Sequence, residues 1–121
     1  MNKIKPLPET MDQRTQFYWD VFVTACEGGV NYWASVWDYS PATGTATLVD
    51  GDTGDKHNLS LATIRRGFRR VVDPSLRTFK IGNNVTSMIA GAYATLDAGD
   101  IDADLADTIV QVGLFNEIVY G

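Results

Sequence analysis

The chain of 121 residues predicts an α+β fold: an N-terminal helix, a small antiparallel meander of about three strands, then two to three C-terminal helices packed on the sheet. Three observations predict it. Phe17, Val21 and Ala25, with Tyr18 and Phe22 alongside, recur at helical spacing. Between residues 30 and 59, β-branched and aromatic runs alternate with turn clusters. From Leu61 onward the apolar period returns to i, i+3, i+4 and i+7.

The length fits one domain over residues 1–121, with residues 1–9, bearing Pro6 and Pro8, as a flexible arm. Thr10-Met-Asp-Gln13 matches a capping box, so a helix is expected from about Asp12 to Glu27. Gly28-Gly29 stops it, because glycine accepts the left-handed conformation that closes a helix. Val30–Tyr39 reads as a strand. Strict alternation sends Val30, Tyr32, Ala34 and Val36 to one face, and Trp33, Trp37 and Tyr39 to the other. That aromatic stripe is an exposed interface or stacking platform if helices cover only the opposite face. With helices on both faces it is a second core layer, and alternation alone leaves both readings open.

Ser40–Gly44 and Gly51–Asp55 are turn clusters around strands at Thr45–Asp50 and Lys56–Leu59. Ser60 can cap a helix from Leu61 to Val72, with Leu61, Ile64, Phe68, Val71 and Val72 inward and Arg66, Arg69 and Arg70 outward, Arg65 on the flank. Asp73-Pro74 ends it, and residues 75–82 carry no clear pattern. Asn83 or Asn84 caps the next helix, to about Ala98, on the stripe Val85, Met88, Ile89, Ala92, Tyr93 and Leu96. After Gly99, Asp100 or Asp102 caps a last helix reaching Tyr120. Its start is acidic and its body apolar all round, so it belongs in the core, at an interface, or both. Ile109, Val110, Leu114, Phe115, Ile118 and Val119 are the candidate homo-oligomer interface.

Composition and charge narrow the chemistry. A net charge of −5 disfavours general nucleic-acid binding. The run Ile109–Tyr120 contains Gln111, Asn116 and Glu117 and falls short of the roughly 20 apolar residues a membrane span needs. The opening MNKIKPLPET has no apolar stretch after its lysines, so no secretory signal is expected. A single cysteine, Cys26, excludes an internal disulfide and a cysteine-based zinc site, and fits a reducing cytoplasm. Asp100-Ile-Asp102-Ala-Asp104 imitates half a calcium loop, but Leu105 and Gln111 occupy the positions that need Gly and a bidentate Glu. Caps and dipole partners explain those acids better. Neither metal nor cofactor is expected. Cys26 and His57 lack an orienting partner, and no phosphate loop, HExxH or GxSxG is present.

The most suggestive polar group is Arg65, Arg66, Arg69 and Arg70, which holds four of the ten basic residues. At i, i+4 spacing these like charges stack in two pairs, each costing the helix roughly 0.2–0.5 kcal/mol. A phosphate group would offset that, since guanidinium donors match it bidentately. A solvated face would equally explain it, paired with the acids of Asp97–Asp107 on this chain or a neighbouring subunit.

Two blocks, CEGGVNYWASV (Cys26–Val36) and GDIDADLADTIVQVGLFNEIVYG (Gly99–Gly121), resemble a family of small, mostly uncharacterised accessory proteins of actinobacterial phages, mycobacteriophages especially. Asp50–Arg70 fits that family's hairpin-then-helix middle more loosely. The resemblance implies a phage protein made in the host cytoplasm and brings no catalytic residues with it. The expected function is therefore non-enzymatic: binding, to a host protein in takeover or anti-defence. The alternative is sequestration of a host signalling nucleotide, with Arg66, Arg69 and Arg70 on phosphate and Trp33 or Trp37 stacked on a base. A second alternative, an acidic DNA mimic, rests on net charge alone.

Overall fold

A computed structural model describes residues 11–121, so the expected arm and Thr10 of the capping box lie outside the described residues. The first helix, α1, spans Gln13–Thr24 and is capped by Asp12, whose carboxylate accepts from the Thr15 amide at 2.7 Å. Phe17, Tyr18, Val21 and Phe22 are buried, as the spacing requires, and Trp19 is buried with them. The helix does not simply stop at the glycines. It widens into a π-turn over Ala25–Gly29, where the Val30 amide reaches the Ala25 carbonyl. Gly29 is needed there for proximity: a Cβ at this position would stand 2.6 Å from the Ala103 carbonyl oxygen.

The sheet has three antiparallel strands in the order β1-β2-β3: β1 Ala34–Ser40, β2 Thr45–Asp50 and β3 Lys56–Ser60. Ala34 pairs with Asp50, Val36 with Leu48 and Trp37 with Thr47; Leu48 pairs with His57 and Ala46 with Leu59. Ala34, Ala46, Leu48 and Leu59 face the core, while Ser35, Trp37, Lys56 and Asn58 face away, so the helices cover one side only.

Two departures break the expected aromatic stripe. β1 starts at Ala34, because residues 30–33 form a turn in which the Trp33 and Ala34 amides both reach the Val30 carbonyl. A bulge between Trp37 and Ser40, with Asp38 at φ 49°, then shifts the register. Trp33 is buried before the strand begins, Trp37 is 56% exposed, and Tyr39 crosses to lie 5.8 Å from the Phe22 ring. Three residues at i, i+4 and i+6 thus occupy three environments.

α2 runs Leu61–Val72, with Ser60 at the N-cap position donating its amide to Thr63 Oγ1. α3 runs Asn83–Thr95 and differs from expectation at both ends. Gly82 precedes it without a side-chain cap, and Leu96, at φ 55°, ends it before Ala98 or Gly99 is reached. Met88, assigned to its inner stripe, is exposed, whereas Ile89 and Ala92 are buried. α4 runs Ala103–Phe115, capped by Asp102, which accepts from the Leu105 amide at 2.8 Å. It is the central core helix. Ile109 and Val110 are completely buried within the chain, so the expected interface does not extend to them. The helix ends at Asn116, φ 58°, rather than at Tyr120, and residues 117–121 return along it.

α2 and α4 cross at glycines on both sides. A Cβ on Gly67 would lie 2.2 Å from the Ile109 carbonyl oxygen, and one on Gly113 would lie 2.3 Å from that of Thr63. The backbones themselves touch, and this closeness positions everything described next.

Candidate functional site

The crossing sets the C-terminus of α4 against the arginine face of α2. A helix end leaves its last carbonyls unpaired and carries partial negative charge. Arg66 Nε donates to the Gly113 carbonyl at 2.9 Å, and Arg70 Nη1 donates to the Val112 carbonyl at 2.8 Å and to Gly113 at 3.3 Å. Among the described residues, these guanidiniums spend their hydrogen bonds on backbone oxygens, not on the Asp97–Asp107 carboxylates. Burial, and then Arg66 beside it, lower the pKa of the Arg70 guanidinium, which stays charged.

Arg65 and Arg69 stand exposed on the outer row. All four arginines, with Ala62 and Leu76, line an open groove of about 300 Å³. Asp73, outside that lining, is a carboxylate near Arg69. Its Oδ1 already accepts from the amide and hydroxyl of Ser75, which lower its pKa, and Arg69 and Arg77 lower it further.

The two blocks Cys26–Val36 and Gly99–Gly121 meet elsewhere, in a polar network centred on buried Asp107 and Gln111. Asp107 accepts from Tyr32 Oη at 2.6 Å, Trp33 Nε1 at 2.8 Å and Gln111 Nε2 at 3.0 Å. Gln111, fully buried one turn later, accepts from the Val119 and Tyr120 amides, both at 2.8 Å, and also donates to the Tyr120 carbonyl. Tyr120 stacks on Trp33, ring centroids 5.0 Å apart and planes 11° from parallel. Its hydroxyl donates to Asp50, whose other oxygen accepts from the Asp52 and Thr53 amides.

The charges respond accordingly. The Asp50 bond pushes the Tyr120 hydroxyl up to about 12, and the same bond lowers the Asp50 carboxyl against the effect of its burial. Burial, then Asp107, pushes Tyr32 up to about 12. These bonds tie residues 32–33 to α4 through Asp107, and residues 119–120 to α4 through Gln111 and to β2 through Asp50, which is an architectural task.

The remaining candidates fall as follows. Trp33 belongs to this network and offers no free ring to a ligand. Trp37 lies on the solvent side of the sheet and does not line the arginine groove. Tyr39 donates to Glu27 at 3.1 Å, and burial followed by Glu27 raises its pKa. Leu114 and Phe115 are half-buried, and Ile118 and Val119 are exposed. Cys26 is buried and its thiol pushed up to about 12 by burial and Glu27, while His57 stands edge-on to Phe115 at 5.0 Å.

Sequence reasoning missed Asp50, Asp107, Gln111 and Tyr120 as one unit. A single amide inside an otherwise apolar helical run was the available signal for Gln111, because a buried amide needs partners. Ala62 and Leu76 carry no signal of their own.

No protein-family model, no curated protein and no solved structure matches this chain.

Proposed function

We propose that this chain is a non-enzymatic phage accessory protein that works in the host cytoplasm by stoichiometric binding to a host protein, with the α2 groove as the contact. One observation carries the reading: four guanidiniums surround one open groove on a chain of net charge −5, two of them pre-oriented by the end of α4. Orienting a long cationic side chain in advance lowers the entropy it loses on binding. Asp107 accepts three hydrogen bonds and Cys26 is held as a buried thiol, so neither is poised for bond chemistry. The two-block resemblance to actinobacteriophage proteins supplies the setting. Exposed Ile118 and Val119, with the half-buried Leu114 and Phe115, are the residues on which self-association would rest.

The nucleotide-sequestering alternative keeps the arginines but loses its stacking ring within one subunit, since Trp33 is consumed by Tyr120 and Trp37 is outside the groove. The discriminating experiment is affinity capture from an actinobacterial host lysate by wild type and by R65E/R69E. The expected result is a host protein retained at a fixed ratio by wild type, released in high salt, and lost from a variant that melts at the wild-type temperature. Identical capture by both proteins would sink the groove as the contact.

A further inference from the structure

Resting on that binding reading, we infer that the groove takes an extended acidic peptide segment: carboxylates at positions i and i+2, and an apolar side chain at i+4. Spacing is the first support. Arg65 to Arg69, and Arg66 to Arg70, are each four helical residues apart, a rise of about 6 Å. In an extended chain, side chains on one face repeat every about 6.6–6.8 Å. Two successive same-face carboxylates therefore match the exposed outer pair, Arg65 and Arg69, one helical turn apart. Arg66 and Arg70 converge on the Gly113 carbonyl and back that pair from the α4 side.

The free donors agree with this. Arg66 uses Nε, and Arg70 uses Nη1, on the α4 carbonyls. The other nitrogens of both guanidiniums have no partner among the described residues, and Arg65 and Arg69 stand exposed beside them. The groove's apolar part is the second support. Leu76, 40% exposed, and Ala62 are its uncharged lining residues, and no aromatic ring lines it. That favours an aliphatic or aromatic peptide side chain against Leu76 over a nucleobase, which needs a ring to stack on. Asp73 near Arg69 adds negative charge beside the groove, which disfavours a third carboxylate and suits an apolar residue against Leu76.

The test is fluorescence anisotropy with the whole protein and a short labelled peptide bearing Glu, Glu and Leu at alternate positions among Ser and Gly. Controls are a peptide of the same composition with the acids adjacent, a Leu→Gly peptide, and a Glu→Gln peptide. ATP and inorganic phosphate serve as competitors. The expected result is that scrambling and Leu→Gly each weaken binding by about fivefold to tenfold, and Glu→Gln or R65A/R69A abolishes it. L76S should repeat the Leu→Gly loss with unchanged melting temperature. Equal binding of the alternating and scrambled peptides would overturn the spacing argument. Displacement by ATP or phosphate at lower concentration than unlabelled peptide would overturn the peptide in favour of a phosphate ligand. The two proposals fail separately. Groove-dependent capture of a host protein with no peptide binding removes this inference alone. Peptide binding with no captured host protein removes the host-partner reading and leaves the ligand chemistry standing.

Discussion

The backbone contact between α2 and α4 makes a sharp prediction, because Gly→Ala inside a helix carries two opposed effects. Alanine gains about 1 kcal/mol of helix propensity over glycine. At Gly91 on α3 nothing lies within 4 Å of the added Cβ, so that gain should appear whole. At Gly67 the Cβ would meet the Ile109 carbonyl oxygen at 2.2 Å and the Ile109 side chain at 2.9 Å. A carbonyl inside a neighbouring helix cannot swing aside as a side-chain tip can, so the helices must separate. Overpacking of this kind costs roughly 1–3 kcal/mol, and a backbone obstacle belongs at the upper end. Subtracting the propensity gain leaves a net loss of about 2 kcal/mol. With an unfolding entropy of about 2.1 cal/mol/K per residue, 1 kcal/mol corresponds to about 4 °C in a chain of this length. G91A should therefore melt about 4 °C above wild type and G67A about 8 °C below it, by circular dichroism at matched concentration. Urea midpoints should order the same way with unchanged slopes. If G67A gained stability as G91A does, the helices would not be in backbone contact, and the orientation of Arg66 and Arg70 would lose its basis.

Other consequences can be checked with the same protein. Q111L should cost about 2–3 kcal/mol, read as a drop of about 8–12 °C, because it strips the Val119 and Tyr120 amides and one Asp107 bond of their partner; a change under about 4 °C would mean that residues 117–121 are not docked. The Tyr120–Asp50 bond makes that docking pH-dependent. Tyr120 is raised from 10.0 to about 12, so its contribution is complete below pH 10 and fades as pH rises towards 12; Asp50 is lowered from 3.8, so its contribution is complete above that value and fades in acid. The difference in melting temperature between wild type and Y120F should thus be largest between about pH 4 and 10, and a difference that grows above pH 10 would contradict the assigned bond. Cys26 should resist a thiol reagent at neutral pH in the folded protein and react in denaturant, with mass spectrometry as the readout; rapid labelling of the native protein would show that the π-turn opens.

The order of elements was legible because it rests on local periodicity. The core positions of α1 and α2 follow from spacing, and the turns between strands from Ser40–Gly44 and Gly51–Asp55. Errors gathered where a non-local contact overrode a local rule. Asp38 and Leu96 adopt left-handed backbone without being glycine, so neither the bulge in β1 nor the early end of α3 carries a glycine marker. The last helix was read five residues too long because Ile118, Val119 and Tyr120 continue its apolar composition. Their actual partners, Gln111 and Trp33, are distant in sequence from Tyr120 or masked by the helical pattern. The arginine cluster was legible as charge. Its orientation was not, because that depends on which helix end α2 meets.

The end of α4 meets both the return segment and α2. Gln111, Val112 and Gly113 are consecutive, yet each serves a different neighbour. The Gln111 side chain holds the return segment, and the carbonyls of Val112 and Gly113 receive Arg70 and Arg66. Gly113 also has to lack a side chain, because the Thr63 carbonyl occupies that space. Thr63 lies on α2 one turn before Gly67, so the contact that demands glycine in both helices is the one that brings the arginines to the helix end. An isolated α2 would carry the same four charges with all four side chains free to rotate. The orientation of Arg66 and Arg70 is therefore made by tertiary packing, and any variant that loosens the crossing should weaken the proposed recognition without removing a single charge.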